Sequence, residues 1–181
     1  MNPTFVPDYV TEDLYETLLR EVPWVNVGAA PRDECFMARD PSLTYTYGKA
    51  NRTRLYRASP MHAAVEKIRE RLNREFALSY NVCVLNYYRD EHQHLGWHAD
   101  DSPEQDPAHP IAVLAFGATR ELWTRPRGAT GAVRPEDRYR MTPGGLFVMP
   151  PGYQDTHVHR IPKHDRPCGG RISLTYRKLD R

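Results

Sequence analysis

The pattern that most limits how this chain can fold is a histidine and a carboxylate two residues apart, joined by a second histidine far downstream. The first two are His98 and Asp100, in Leu95-Gly-Trp-His-Ala-Asp-Asp101, and the third is His159. On a strand, residues i and i+2 point to one face, so His98 and Asp100 can reach a single ion. His159 joins them if the chain returns beside the first strand, as a pair of β-hairpins between the two would allow. Two histidines and one carboxylate leave open positions on a metal, the arrangement of non-haem Fe(II) sites. With eight histidines in the chain, H-x-D alone is a weak signal. It gains weight from Arg171-Ile-Ser-Leu-Thr-Tyr-Arg177, whose two arginines lie an even number of positions apart and so share a strand face. Guanidinium forks match carboxylates bidentately, and two of them near a metal point to a dicarboxylate co-substrate. His157 shares the face of His159 and is the alternative ligand. His92 and His94 fall in the polar loop 89–94 and are read as exposed or as neighbours of the ligands.

The rest of the chain reads as short strands and two helices. Phe5-Val6-Pro7 is strand-like. Thr11 is the expected cap of a first helix, with Glu12 and Asp13 in its first turn, a stripe of Leu14, Leu18 and Val22, and Pro23 as its stop. Residues 24–40 suggest strands joined at Gly28-Ala-Ala-Pro31. Leu43 to Tyr47 alternates, placing Tyr45 and Tyr47 on one face, either as an aromatic platform or as an ordinary core strand. Lys49, Arg52, Arg54 and Arg57 stand close together without an acid, a set that can contact phosphates or lie in a solvated loop. Ser59 and Pro60 open a second helix with Ala64, Val65, Ile68 and Leu72 inward, and Glu66, Lys67, Arg69, Glu70 and Arg71 outward. From Asn81 to Tyr88, Asn86 and Tyr88 end an otherwise apolar face and so suggest a polar site there. Strands follow at 111–116, 121–125, 138–141, 146–149 and 171–177, with Thr142-Pro-Gly-Gly145 as a tight turn. An all-β core flanked by helices is the expected class.

Composition narrows the setting. The 181 residues suit one domain with a real core, and 40% hydrophobic with 27% charged residues fits a globular chain. A formal charge of +2 rules out a global polycation, so any nucleic-acid surface is local. Three scattered cysteines, Cys35, Cys83 and Cys168, lack zinc spacing and suggest a reduced, cytoplasmic protein. No signal peptide or membrane span is expected, and a monomer is.

Taken in order, several segments resemble the AlkB-type Fe(II)/2-oxoglutarate dioxygenases. They are Leu43-Thr-Tyr-Thr-Tyr47, Asn86-Tyr-Tyr88, His98-Ala-Asp-Asp101, Pro110 to Arg120, His159-Arg-Ile-Pro-Lys163 and Arg171 to Arg177. The resemblance covers about Pro31 to Arg177. It implies a single domain: a double-stranded β-helix (jelly roll) over 81–178, preceded over 1–80 by an extension with two helices and a nucleotide-recognition lid. It implies Fe(II) on His98, Asp100 and His159, with 2-oxoglutarate and O2 as co-substrates. Asn86, Tyr88, Arg171, Ser173 and Arg177 would surround 2-oxoglutarate, Arg171 at the distal carboxylate and Arg177 nearer the metal; related proteins often carry asparagine where Ser173 stands. Arg32, Tyr45, Tyr47 and Asp101 would line a base pocket, with Asp101 at the base edge; the residues alone leave Arg32 and Asp101 open as surface charges. The implied activity is oxidative demethylation of N-alkylated bases, 1-methyladenine and 3-methylcytosine, in DNA or RNA, with release of formaldehyde. In related enzymes the hairpin at 28–31 can carry a bulky wedge; Gly28, Ala29 and Ala30 depart from this and favour single strands, since extruding a base costs a few kcal/mol. The competing expectations are the same chemistry on another substrate, and a non-catalytic jelly roll that binds nucleic acid.

Overall fold

The computed structural model describes residues 2–27, 30–47 and 54–180, the Tyr47 side chain excepted. In chain order the strands are β1 (Thr4–Val6), β2 (Asp33–Ala38), β3 (Thr44–Tyr47), β4 (Arg54–Arg57), β5 (Ser59–Pro60), β6 (Val82–Tyr88), β7 (Leu95–His98), β8 (Ile111–Gly117), β9 (Arg120–Pro126), β10 (Arg138–Met141), β11 (Leu146–Met149), β12 (His157–Ile161) and β13 (Arg171–Arg177). The helices are α1 (Tyr15–Glu21), α2 (Ala63–Phe76) and the single turn α3 (Tyr153–Thr156). A seven-stranded sheet runs β1-β11-β8-β13-β6-β2-β5, and a four-stranded sheet runs β10-β9-β12-β7. β3 and β4 form a separate hairpin. All pairings are antiparallel except β2 with β5. Two antiparallel sheets facing each other give the expected jelly roll.

Strand alternation decides the layers. On β8, Ala112, Leu114 and Phe116 pack with Leu18, Val65, Ile68 and Leu72 of the helices, while Ile111, Val113 and Ala115 face the smaller sheet with Leu122, Met141 and Ile161. β13 does the same with a difference that matters. Its even positions, Ile172, Leu174 and Tyr176, enter the helix-side core, and its odd positions, Arg171, Ser173, Thr175 and Arg177, line a cavity between the sheets. The turn from β10 to β11 closes with Gly145 N donating to Thr142 O at 3.0 Å. Pro143 takes its second position, and Gly144 has φ +74°, which suits a type II turn. A Cβ on Gly144 would meet the Val10 carbonyl oxygen at 1.8 Å, so only glycine fits.

Three local expectations need correction. Thr11 does not cap α1, which starts at Tyr15; Asp13 Oδ1 instead accepts from Tyr15 N at 3.0 Å. Ser59 and Pro60 do not open α2 but pair with Met37 and Ala38 as a parallel edge, and the His62 side chain caps the helix by accepting from Ala64 N. Arg69 is buried rather than outward, donating to Tyr80 O at 2.7 Å and to the Glu66 carboxylate. The expected stop of α1 at Pro23 holds, with Val22 extended as a residue before proline must be. Among the described residues no helix is long and apolar enough to cross a membrane.

Candidate metal centre and its surrounding pocket

β7 and β12 are antiparallel neighbours in which His98 and His159 are direct partners. Direct partners on one face bring their side chains together, and the two rings stand 4.1 Å apart. Asp100 lies just past the end of β7, where Gln154 of α3 holds its backbone N–H at 2.9 Å. Its carboxylate then falls between the rings, Oδ1 at 3.6 Å from His98 Nε2 and Oδ2 at 3.7 Å from His159 Nε2. All three donor atoms lie within 4.8 Å of one another. Bond lengths of about 2.0–2.2 Å let one ion bridge such a set. His98 Nδ1 sits 2.9 Å from the Gly96 carbonyl, to which it donates, so Nε2 keeps its lone pair for an ion. His92, His94 and His157 stay outside the group; His157 instead stacks on Tyr153 at 4.3 Å.

The electrostatics favour the ligating protonation states. Burial, and then the neighbouring His98, push His159 from its ordinary value near 6.5 down to about 3, Asp100 opposing in part. Burial likewise lowers His98. Burial alone would raise Asp100, but Arg177 and the two histidines outweigh it and hold the carboxyl below its usual range. Near neutral pH the site is two neutral imidazoles and one carboxylate.

The two arginines of β13 behave differently. Arg177 Nη2 lies 2.8 Å from Asp100 Oδ1, and Nη1 donates to the Tyr45 hydroxyl. Arg171 is fully buried, and none of its three guanidinium nitrogens has a hydrogen-bond partner among the described residues. Its guanidinium lies 5.4 Å from the Tyr88 ring centroid, and burial lowers it to about 10, so it stays charged at neutral pH. A buried cation without a counter-charge costs several kcal/mol, which an anionic ligand in this cavity would offset. The register places Arg171 against Tyr88, and Ser173 against Asn86, along the cavity wall. The donor set and the orphaned Arg171 together fit an Fe(II) ion with a carboxylate co-substrate beside it.

Sequence reasoning missed Glu34. It is buried on β2 against Asn86 and accepts from three groups: Arg32 Nη2, Arg54 Nη1 at 3.3 Å and the Tyr56 hydroxyl at 2.6 Å. Arg32 also donates to Asn86 Oδ1 at 2.7 Å. The open alternative for Arg32 therefore resolves to a buried cavity residue tied to Asn86. An acid inside Cys35-Phe36-Met37-like apolar surroundings was the available signal. Arg54, expected at phosphates, is drawn inward by Glu34, while Arg57 is exposed on β4. Lys49, Arg52 and the Tyr47 side chain lie outside the described residues, as do Gly28 and Ala29. Tyr45, read either as part of an aromatic platform or as a core-strand residue, is buried between Phe36, Tyr56 and Arg177 and closes the cavity. Beyond His98 a second cleft of about 440 Å³ is lined by Tyr45, Thr46, Trp97 and Asp101 among others. Asp101 faces it while accepting from Arg127 Nη2 at 2.8 Å, a partner the sequence did not disclose.

Comparison with known proteins agrees with this geometry. The chain is 31% identical to the DNA oxidative demethylase ALKBH2 of Mus musculus, over 77% of this chain and 59% of that protein. It is 29% identical to the alpha-ketoglutarate-dependent dioxygenase alkB homolog 3 of Bos taurus, over 98% of this chain and 64% of that protein. The chain thus spans about three fifths of these relatives. Among solved structures, OsALKBH1 superposes with a TM-score of 0.61 at 15% identity, covering 97% of each chain, a likeness of fold. The profile of the 2OG-Fe(II) oxygenase superfamily matches residues 3–177, and the chain belongs to that family.

Proposed function

We propose that this protein is an Fe(II)- and 2-oxoglutarate-dependent dioxygenase that removes methyl groups from N-alkylated bases in DNA or RNA. The observation that carries the reading is the His98–Asp100–His159 donor set beside the partnerless, buried Arg171. His98, Asp100 and His159 would hold the iron. Arg171 would pair the distal carboxylate of 2-oxoglutarate, with Tyr88, Asn86 and Ser173 along the same wall and Arg177 at the metal end. When bound, iron with 2-oxoglutarate and O2 supplies the oxidation: the co-substrate leaves as succinate and CO2, and the alkyl carbon becomes a carbinol that departs as formaldehyde.

The chain's own groups bind and orient. Arg177 steadies the Asp100 carboxylate, and Gln154 fixes the backbone that aims it. Glu34 neutralises Arg32, so the cavity wall carries less net positive charge than its arginines suggest. The cleft holding Tyr45, Trp97 and Asp101 would receive the alkylated base, and the Asp101 carboxylate would offset the charge of 1-methyladenine or 3-methylcytosine. The small residues at 28–30 support a preference for single strands. A monomer in a reducing, cytoplasmic setting belongs to the same reading, the second supported by three free cysteines.

The test is mass spectrometry of single-stranded DNA and RNA oligonucleotides carrying either lesion, with Fe(II), ascorbate and 2-oxoglutarate. Loss of one methyl mass with the native protein but not with His159→Ala is the expected result, and the DNA:RNA rate ratio selects the substrate. Consumption of 2-oxoglutarate without methyl loss from either would sink the substrate assignment.

A further inference from the structure

The outer face of the four-stranded sheet, turned away from the metal site, carries a row of interleaved tryptophans and arginines. Each of its four adjacent strands contributes one member: Trp97 on β7, Arg160 on β12, Trp123 on β9 and Arg138 on β10. Trp123 is the direct partner of both Arg160 and Arg138, so the row crosses the strands. The Arg160 guanidinium lies 4.9 Å from the Trp97 ring centroid and 4.3 Å from that of Trp123. Arg138 also lies over Trp123, at 4.8 Å, and Arg125 reaches Trp97 at 4.1 Å. Three strand spacings make the row about 14 Å wide.

The charge is one-sided. Arg125, Arg138, Arg160 and the exposed Arg140 make no ion pair among the described residues. The only acid on these four strands is Glu121, and its carboxylate accepts from the Trp123 indole at 2.5 Å. Nε of both Arg125 and Arg160 is buried without a partner. Burial and the neighbouring Arg125 hold Arg160 below its usual range, as expected for guanidiniums crowded without a counter-charge.

We propose that this row is a docking surface for the sugar-phosphate backbone of a nucleic-acid strand that leads to the catalytic cleft. An arginine stacked on an aromatic face keeps the N–H edge of its planar fork open to a phosphate, as at Arg125 and Arg160, and the ring holds the fork in place; Arg138 instead spends Nε (3.2 Å) and Nη2 (2.7 Å) on the Val133 carbonyl and leaves Nη1 for a ligand. Trp123 has guanidiniums from two neighbouring strands on it and Trp97 has two as well, so the rings serve as splints for the forks. The surface therefore reads charge and spacing, and neither sequence nor lesion. It is continuous with the site: Trp97 and Val158, both on this sheet, also line the cleft that holds Tyr45 and Asp101. A polyanion supplies the counter-charge that the face lacks. This inference deepens the proposed function and shares its substrate class.

The test measures binding of an unmodified single-stranded oligonucleotide of about 16 nucleotides by fluorescence anisotropy across salt concentrations. It uses the native protein, the Arg125→Ala/Arg160→Ala pair, and the exposed pair Arg138→Glu/Arg140→Glu, with thermal melting to confirm that losing the Arg138 hydrogen bonds to the Val133 carbonyl leaves the fold intact. Each lost phosphate contact should flatten the log K against log salt slope by about 0.7. Turnover of a short lesion-bearing trinucleotide by Arg138→Glu/Arg140→Glu should match the native protein, while KM for the long substrate rises roughly tenfold. Unchanged slopes in both pairs would overturn the proposal. So would binding of poly-glutamate in place of the oligonucleotide, which would assign the face to an acidic polypeptide. If the slopes flatten but no lesion is demethylated, the face stands and the demethylase reading falls; methyl loss with unchanged slopes has the reverse meaning.

Discussion

Arg171 and Arg177 end the same strand on the same face, yet one is partnered and the other is not. Arg177 is committed to Asp100 and Tyr45; Arg171 has no acidic partner among the described residues, only Tyr88 beside it. Replacing an unpaired buried cation with a similar-sized apolar residue relieves its desolvation cost. Arg171→Met should therefore stabilise the co-substrate-free protein, by about 1–3 kcal/mol, while raising KM for 2-oxoglutarate at least tenfold. Urea denaturation and steady-state kinetics check the two signs together; a loss of both stability and binding would point to an unseen partner for Arg171. The His159 shift gives a pH prediction. Its folded value, about 3, is below the unfolded value near 6.5, so the unfolded chain binds more protons between them. In metal-free protein, stability should fall as pH drops from about 6.5 toward 3, and His159→Gln should weaken that dependence. Equal pH slopes for the two proteins in denaturation would contradict it. At this scale the clustering of His98, Asp100 and His159, and of Arg171 with Arg177, was legible because an H-x-D pair and an even arginine spacing confine side chains to one strand face. Glu34 and Gln154 were not, because they act through partners far away in sequence.

The β3–β4 hairpin is pinned to the larger sheet at two points, Tyr56 and Arg54 to Glu34 on β2, and Tyr45 to Arg177 on β13. Tyr56→Phe removes one donor from a buried carboxylate and should cost about 1–3 kcal/mol locally. Hydrogen exchange over residues 54–57 should speed up, while β8 and β13 stay protected; unchanged exchange would show that the hairpin does not depend on Glu34. In the core, Leu174→Ala should cost about 2–5 kcal/mol by denaturant titration, since Leu174 is fully buried in the helix-side core beside Leu114 of β8. Strand β8 could be read from its unbroken apolar run, and β13 from the even spacing of its two arginines. The starts of α1 and α2 could not: Asp13 and His62 compete with Thr11 and Ser59 as caps, and the pull of β2 on Ser59 and Pro60 is a tertiary effect that no local pattern carries.

Across the whole molecule, the larger sheet supplies the cavity wall through Arg171, Ser173, Asn86 and Tyr88, and the smaller sheet supplies the two histidines. The candidate metal site forms only where the two layers face each other, because the β7–β12 pair brings His98 and His159 together. The order of motifs along the sequence disclosed this architecture. The Arg–Trp row on the reverse of the smaller sheet stayed hidden, because its members come from four strands and meet only after the sheet has formed. Anaerobic titration calorimetry with Fe(II), followed by 2-oxoglutarate, asks whether His98, Asp100 and His159 hold one iron with the co-substrate on Arg171 beside it. One Fe(II) per chain is expected in the native protein, none in folded Asp100→Ala, and, in Arg171→Met, iron binding retained with 2-oxoglutarate binding weakened. Full iron binding by folded Asp100→Ala would rule this site out.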